Sequence, residues 1–203
     1  MASEHYFSAD PGSELRLRRI TVRLGGQDRE VTTSNGIFSP DHIDQGTEVL
    51  LRYAPTPPET GDLLDLGCGW GPIALTLALE SPGATVWAVD VNDRALELVR
   101  RNAAELGLEN VKAVRPEELP DDIEFTTIWS NPPIRVGKAE LHSMLQKWLP
   151  RLAPGADSYL VVQRNLGSDS LQRWMETEFA ERLAVAREAI SKGFRVLKVS
   201  RGA

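Results

Sequence analysis

The stretch LLDLGCGWGP, from Leu63 to Pro72, decides the fold of this chain, because it joins an apolar strand to a helix through a glycine-rich turn. The glycines of this turn let the backbone bend sharply and come close to a ligand. In open α/β sheets, ligands bind in the crevice beyond the carboxyl ends of the strands. The stretch therefore predicts both a class of fold and the place of a binding site.

Strands and helices alternate from this stretch onward. Further strands are predicted at TVWAVDV, NVKAV, EFTTIW and SYLVVQ, and most of the segments between them have the length and apolar spacing of helices. RLAVAREA and GFRVLKVS are two last strands joined by a short turn, which indicates an antiparallel edge. The pattern predicts an α/β fold with a doubly wound, Rossmann-like, seven-stranded and mostly parallel sheet that has an antiparallel C-terminal edge.

The residues before this core predict a smaller unit. Two strand patterns within residues 15–32 are joined by a Gly-Gly turn, which predicts a β-hairpin, and a helix is predicted at residues 45–53. The breaker-rich segment PTPPETG follows. We therefore expect an N-terminal extension of hairpin and helix, residues 1–55, packed on a core domain, residues 56–203.

Length and composition limit the classes of protein to consider. The 203 residues suit one domain with a small extension, the single cysteine fits a reducing compartment, and no apolar run could span a membrane. We therefore expect a cytoplasmic protein without a membrane partner. Residues 41–124 hold 6 basic and 17 acidic side chains, whereas residues 125–203 hold 12 and 7. A cationic cofactor suits the first region and a polyanion the second, although an unevenly charged surface explains the same counts.

The spacing of the glycines distinguishes between ligands. The pattern G-x-G-x-G differs from the G-x-G-x-x-G of dinucleotide binders, and Pro72 lacks the N–H that a phosphate would need, so a pyrophosphate is disfavoured. Asp90 ends the next strand, where a carboxylate can accept both hydroxyls of a ribose. The alternative role for Asp90, capping the next helix, is already served by Asn92 or Asp93.

Two further side chains lie in the glycine-rich stretch. Asp65 would lie near the ammonium group of a cofactor, or would only hydrogen-bond the start of the helix. Cys68 is a small packing residue, since nothing nearby favours a reactive thiolate. We assign to the cofactor Asp65, Gly67, Cys68, Gly69, Gly71, Asp90, Val91 and Asn131.

The sequence NPP ends a strand in an unusual way. Neither Pro132 nor Pro133 can donate to a strand ladder, so the strand must stop at Asn131 and two carbonyl groups are left bare. The side-chain oxygen of Asn131 and the carbonyl oxygen of Pro132 can accept both N–H bonds of an exocyclic amine and aim its lone pair at an electrophilic methyl group. These residues are candidates for catalysis by positioning, although NPP alone also fits a rigid turn.

This chain resembles the class I S-adenosylmethionine-dependent methyltransferases in four features taken together. They are the acidic residue Asp65 in the glycine-rich stretch, the G-x-G-x-G glycines, Asp90 at the end of the second strand, and the NPP motif. The motifs HYFS, TSNGIFS, DQGT, NPPIRVGK and KGFRVLK are more closely similar to the bacterial ribosomal RNA guanine-N2 methyltransferases of the RsmC type. Members of that family often carry a second, N-terminal domain. The resemblance therefore implies that this chain is the catalytic half alone.

The resemblance implies roles for residues outside the core motifs. Asp44 and Thr47 would hold the methionine end of the cofactor, and Phe38 would lie at the mouth of the pocket. Glu117 best matches the position that contacts adenine. Ile134 takes the place of an aromatic residue that stacks on the base in many amino-methylating enzymes, and is assigned with Asn131, Pro132 and Pro133 to catalysis.

Two basic side chains follow the NPP motif in the same loop. Arg135 and Lys138 are candidates for phosphate contacts, with simple solvation as the alternative. No metal is expected, because the three histidines are scattered and lack the spacing of ligands.

We therefore expect an S-adenosylmethionine-dependent N-methyltransferase that acts on an exocyclic amine. Guanine N2 of ribosomal RNA is the preferred target, and ribosomal RNA or the small ribosomal subunit is the expected partner. Adenine N6 and a protein glutamine amide stay open as targets. A non-catalytic RNA-binding module and a dehydrogenase are the alternatives from other classes, and the choice between monomer and homodimer stays open.

Overall fold

A computed structural model describes residues 14–203; the HYFS motif at residues 5–8 lies outside the described residues. The strands are β1 (Leu17–Leu24), β2 (Gln27–Ser34), β3 (Thr60–Leu66), β4 (Gly83–Val89), β5 (Val111–Val114), β6 (Phe125–Ser130), β7 (Leu152–Gln163), β8 (Leu183–Ser191) and β9 (Phe194–Arg201). The helices are α1 (Gln45–Tyr53), α2 (Pro72–Glu80), α3 (Asp93–Glu105), α4 (Lys138–Trp148) and α5 (Ser168–Glu178).

Seven of these strands form one sheet in the order β5-β4-β3-β6-β7-β9-β8. The five strands from β5 to β7 run parallel, and β9 is antiparallel to both β7 and β8. The chain moves outward from β3 to β5 and then crosses back to β6, so the strand order reverses between β3 and β6. A crevice opens at the carboxyl ends of the strands at such a point. The predicted doubly wound sheet with an antiparallel C-terminal edge is confirmed.

Helices cover both faces of the sheet, because its central strands are apolar on both sides. On one face α1, α2 and α3 pack through buried side chains that include Leu50, Leu77 and Leu96. On the other face α4 and α5 pack through Leu145 and Met175, which are also buried. The two apolar layers hold the strand ends, and hence the crevice, in a fixed arrangement.

The hairpin of β1 and β2 is a separate two-stranded sheet that packs on α2 and α3. The buried side chain of Asn102 in α3 joins it to the core. This amide accepts a hydrogen bond of 2.7 Å from the Thr32 N–H and donates to the carbonyl oxygens of Thr32 (3.0 Å) and Trp70 (3.2 Å). Because Trp70 lies in the glycine turn, the hairpin is anchored directly behind the predicted site. The division between residues 1–55 and 56–203 stays a prediction.

The boundary between α4 and β7 differs from the sequence prediction. Helix α4 ends at Trp148, because Pro150 has no N–H to continue it. A short 3-10 turn follows, and β7 begins at Leu152, ahead of the predicted start at Ser158.

Candidate active site

A cleft of about 380 Å³ lies at the carboxyl ends of β3, β4, β6 and β7, where the strand order reverses. One end of the cleft is formed by the glycine turn and the end of β4, and the other by the NPP segment, α4 and the residues after β7. Most of the predicted site residues line it, namely Phe38, Asp44, Thr47, Gly67, Cys68, Gly69, Asp90, Val91, Asn131, Pro132, Pro133 and Ile134.

The glycine turn has a backbone conformation that side chains rarely tolerate. Gly67, Gly69 and Gly71 have φ angles of 78°, 54° and 99°, in the left-handed region. A Cβ atom at Gly71 would also lie 3.0 Å from Cγ2 of Val99 in α3. Gly67 and Gly69 line the cleft, whereas Gly71 does not line it and is the N-cap residue of α2. The turn therefore keeps bare backbone facing the cleft.

Asp90 connects the glycine turn to the start of α3. Its Oδ2 accepts a hydrogen bond of 2.9 Å from the Gly69 N–H, and its Oδ1 accepts one of 2.9 Å from the Asn92 N–H. Asn92 itself caps α3 by accepting from two backbone N–H groups. Burial raises the pKa of Asp90, and the backbone N–H groups oppose that change. Asp90 and the exposed side chain of Val91 both line the cleft, as predicted, and their contacts with a cofactor stay predictions.

The structure does not place Asp65 where it could meet the ammonium group of a cofactor, which was the first of its two predicted roles. It is fully buried and does not line the cleft; its Oδ2 accepts a hydrogen bond of 2.9 Å from the Ala74 N–H at the start of α2. The helix-entry role is the one observed, and direct contact with a cofactor ammonium group is not supported. Its Oδ1 has no hydrogen-bond partner within residues 14–203, and burial raises the pKa of Asp65 to about 8.

Cys68 lines the cleft between two glycines but is almost completely buried. Burial raises the pKa of its thiol well above the ordinary value. A thiolate nucleophile is therefore disfavoured, in agreement with the packing role expected from the sequence.

The NPP segment is held against the glycine turn. Ser130, the last residue of β6, donates a hydrogen bond of 2.6 Å from its hydroxyl to the Leu66 carbonyl oxygen at the end of β3. A Cβ atom at Gly67 would lie 4.0 Å from Cδ of Pro133. The two motifs, which lie more than 60 residues apart in the sequence, are therefore direct neighbours. Sequence reasoning missed Ser130, because a serine at the end of a strand carries no distinctive pattern.

The two proline carbonyls are not bare, which corrects the prediction made for them. The Pro132 oxygen accepts a hydrogen bond of 2.8 Å from the Ile134 N–H, and the Pro133 oxygen accepts one of 3.1 Å from the Val136 N–H. These bonds form a tight turn and a 3-10 turn directly after the strand. A carbonyl oxygen has two lone pairs, so the Pro132 oxygen keeps one for a ligand, in a direction that the turn makes rigid.

The amide of Asn131 is held by two residues at the start of α1. Its Nδ2 donates hydrogen bonds of 2.8 Å to Oδ2 of Asp44 and of 3.0 Å to Oγ1 of Thr47. Both amide hydrogens are therefore used, and the side-chain oxygen is the group left for a ligand. The resemblance assigned Asp44 and Thr47 to the cofactor; both line the cleft, and that contact stays a prediction.

The end of the cleft beyond Asn131 is mainly apolar. Ile134, Met144, Trp148, Leu166 and Phe194 line it. Apart from Ile134, none of these residues was predicted to belong to the site, because in the sequence they are indistinguishable from core residues. We call this apolar end of the cleft the apolar slot. Its apolar and aromatic side chains suit a flat ring. Phe38 is 47% exposed and lines the same cleft, and its place at the mouth stays a prediction.

Besides Asp65 and Gly71, two more predicted residues do not line the cleft. Glu117 has an exposed side chain 3.7 Å from a guanidinium nitrogen of Arg115, and its neighbour Pro116 lines the cleft instead, so the prediction that Glu117 contacts adenine is not supported. Lys138 is exposed at the first turn of α4 and does not line the cleft. Arg135 lies in the 3-10 turn after the NPP segment. The phosphate contacts of Arg135 and Lys138 stay predictions.

The residues present fit S-adenosylmethionine. The cleft volume is in the range of pockets that hold drug-sized ligands, and it offers bare glycine backbone, a carboxylate and apolar surface together. Within residues 14–203 no group of three or more His, Cys, Asp or Glu side chains is arranged to hold a metal ion. None of the helices described is both long enough and apolar enough to cross a membrane.

Comparison with known sequences gives consistent matches. The sequence profile of the methyltransferase small domain family matches residues 28–198. The uncharacterized protein YbxB of Bacillus subtilis (strain 168) is 33% identical over 203 residues, 98% of this chain and 99% of that protein. The ribosomal RNA small subunit methyltransferase C of Aeromonas hydrophila is 36% identical over 135 residues, 66% of this chain but 38% of that enzyme. This chain thus spans well under half of that enzyme.

Comparison with solved structures agrees on the fold. The Thermus thermophilus 16S rRNA N2 G1207 methyltransferase (RsmC), solved with AdoMet and guanosine, superposes with a TM-score of 0.77 over 96% of this chain and 53% of that chain, at 24% identity. TrmN from Thermus thermophilus superposes with a TM-score of 0.60 at 26% identity, over 76% of this chain and 47% of that chain. The predicted class of S-adenosylmethionine-dependent methyltransferases is confirmed. By its profile match and its relatives, this chain belongs to the methyltransferase small domain family.

Proposed function

We propose that this methyltransferase methylates an exocyclic amine, and that its target is guanine N2 of ribosomal RNA. One observation carries the proposal: the Asn131 amide gives both of its hydrogens to Asp44 and Thr47, so its oxygen is left to accept a hydrogen bond in the cleft. A group that can only accept selects a substrate atom that carries hydrogens. An exocyclic amine has two.

The reactivity of such an amine explains why acceptors are needed. Its lone pair is delocalised into the ring, which makes the nitrogen a poor nucleophile. Hydrogen bonds from the amine to the Asn131 oxygen and to the Pro132 carbonyl oxygen favour a tetrahedral nitrogen with a directed lone pair. The Pro132 carbonyl is already fixed by its bond to the Ile134 N–H, so little reorganisation accompanies the reaction. Bound S-adenosylmethionine supplies the electrophilic methyl group.

No general base is required of the protein. The amine becomes more acidic once it carries the methyl group, and it can then lose a proton to water. The chain contributes proximity and orientation, which together supply a large part of the barrier reduction in such transfers. This agrees with a cleft in which Asp90 is bound to backbone N–H groups and the Cys68 thiol is held protonated by burial.

The preference for a nucleobase in ribosomal RNA rests on the apolar slot and on the relatives. Ile134, Met144 and Trp148 line the slot and can pack on the face of a flat ring. A base in structured RNA would have to be unstacked to enter it. Relatives named ribosomal RNA small subunit methyltransferase C match this chain at 36% identity. Adenine N6 and a protein glutamine amide also carry N–H groups, and are the alternative targets.

The proposal is tested by asking what the protein methylates. The protein is incubated with tritiated S-adenosylmethionine and, in separate reactions, unmodified small-subunit ribosomal RNA, small ribosomal subunits and total cellular protein. The labelled RNA is digested and its nucleosides are identified by mass spectrometry. We expect N2-methylguanosine from the RNA or the subunits. Label in methyladenosine or methylglutamine would overturn the guanine assignment. No transfer together with no S-adenosylhomocysteine binding, measured by calorimetry, would favour a non-catalytic RNA-binding module.

A further inference from the structure

We infer that Asp44 and Thr47 are positioning residues that set the orientation of the Asn131 amide, and so decide that the site presents an acceptor to its substrate. We call these three side chains the amide clamp. The inference rests on the proposed function, in which the oxygen of Asn131 contacts the reacting amine. It assigns the clamp residues to the substrate side of the reaction, whereas the sequence resemblance assigned them to the cofactor.

The contacts of Asp44 show how the clamp is built. Asp44 is the N-cap of α1, and its Oδ2 accepts hydrogen bonds from the backbone N–H groups of Gly46 (2.8 Å) and Thr47 (3.3 Å). The same oxygen accepts the 2.8 Å bond from Asn131 Nδ2. The Asp44 side chain is already fixed by its bonds to the start of α1, and it holds the Asn131 amide. The orientation of that amide therefore does not depend on a flexible partner.

The chemistry of the acceptors gives the amide one orientation. An ionised carboxylate has no hydrogen to donate, so a flipped Asn131 would set its oxygen against the Asp44 oxygen. Thr47 is 3% exposed, and its Oγ1 accepts the second bond of 3.0 Å. With both hydrogens used, Asn131 can only accept from a ligand. Substrate atoms that carry no hydrogen, such as a ring nitrogen with a bare lone pair, have no favourable partner there.

The glycine of the DQGT motif makes the arrangement possible. A Cβ atom at Gly46 would lie 2.9 Å from Oδ2 of Asp44 and 3.0 Å from Cε1 of Phe194. A larger residue would push the start of α1 away from β9 and from Asn131. The motif thus combines Asp44, a helix cap that accepts hydrogen bonds, with Gly46, which is small enough for α1 to approach β9 closely, and with the buried hydroxyl of Thr47. All three serve the placement of one amide from another part of the chain.

A double-mutant cycle tests the clamp. Thr47→Val removes the hydroxyl acceptor at nearly constant volume, and Thr47→Ser is the matched control that keeps it. We expect Thr47→Val to lower the single-turnover rate of methyl transfer about tenfold, with Thr47→Ser near wild type and with S-adenosylhomocysteine affinity unchanged in both. In an Asn131→Ala background Thr47→Val should have no further effect. Additive effects, or weaker cofactor binding in Thr47→Val alone, would overturn the inference.

A second measurement does not depend on activity, so failure of the proposed function and failure of the clamp can be told apart. In protein labelled with ¹⁵N-asparagine, the side-chain amide signals of Asn131 are identified by their loss in Asn131→Ala. They should shift in Thr47→Val and in Asp44→Ser, which keeps a capping side chain but is too short to reach Asn131. They should not shift in Glu48→Gln, an exposed control on the same helix. Unchanged signals in the first two variants would contradict the clamp even if no substrate is methylated.

Discussion

The hydroxyl of Ser130 donates a hydrogen bond of 2.6 Å to the carbonyl oxygen of Leu66, and so joins the end of β6 to the end of β3. The two residues lie on either side of the point where the strand order reverses. One leads directly into the glycine turn and the other into the NPP segment. This bond therefore fixes the distance between the part of the cleft predicted to hold the methyl donor and the part proposed to hold its acceptor.

Ser130→Ala should destabilise the protein and slow methyl transfer. Loss of a buried hydrogen bond costs about 1 kcal/mol. We expect the free energy of unfolding of the variant, measured by urea denaturation, to fall by that amount. The control is Ser158→Ala in the adjacent strand, because the buried Ser158 hydroxyl has no partner among the described residues. Ser158→Ala should be neutral or slightly stabilising. Equal losses in the two variants would show that the bond to Leu66 has no special role.

Asp90→Ala should weaken cofactor binding. The carboxylate holds the Gly69 N–H and the start of α3, so its removal loosens the turn as well as removing the predicted ribose contact. We expect the S-adenosylhomocysteine dissociation constant, measured by calorimetry, to rise at least about tenfold, the equivalent of one charge-assisted hydrogen bond. Glu117→Ala is the control, since Glu117 is exposed and lies outside the cleft. An equal effect of Glu117→Ala would restore the adenine contact that the structure does not support.

Asn131→Ala should separate chemistry from cofactor binding. The variant removes the acceptor oxygen but leaves the glycine turn and Asp90 in place. The rate of methyl transfer should fall by roughly 10²-fold, while S-adenosylhomocysteine affinity stays within a few-fold of wild type. Rapid-quench kinetics and calorimetry measure the two quantities. A variant that loses cofactor affinity and keeps its rate at saturating cofactor would reverse the division of roles between Asn131 and Asp90.

Asp65 should make the stability of the ligand-free protein depend on pH. Burial raises its pKa from 3.8 to about 8, so the folded state binds its proton more tightly than the unfolded state. The stabilisation from that proton is complete below pH 3.8 and is lost as the pH rises through about 8. Asp65→Asn keeps an acceptor for the Ala74 N–H without an ionisable group. Its melting temperature relative to wild type should increase between pH 5 and pH 8, and a difference that is constant with pH would contradict the prediction.

The sequence predicted the fold and much of the cleft because those features depend on short segments. An apolar strand that enters a turn with three glycines has few alternatives, since only glycine adopts the left-handed angles of Gly67, Gly69 and Gly71 without strain. The ends of parallel strands must meet at one edge of the sheet. From those two facts alone, Asp90 and Asn131 could be brought to the same crevice.

The structure places two predicted cofactor residues outside the cleft lining, and in both cases the direction of the side chain is decisive. Pro116 lines the cleft and Glu117 points to solvent, because neighbouring residues in a turn point in different directions. Asp65 belongs to a buried strand, and its carboxylate meets the first turn of α2 behind the glycine turn. Neither direction can be read from the identity of the residue. Each depends on backbone torsions that the packing of the whole sheet sets.

The sequence by itself determined the order of strands and helices, the place of the crevice, and which residue types could do chemistry there. Only the tertiary structure decided the partners of the Asn131 amide, because its Nδ2 donates to Asp44 and Thr47, more than 80 residues away in the chain. Residue patterns record local preferences for torsion and burial. The direction of one amide is set by hydrogen bonds that exist only after distant segments have packed together.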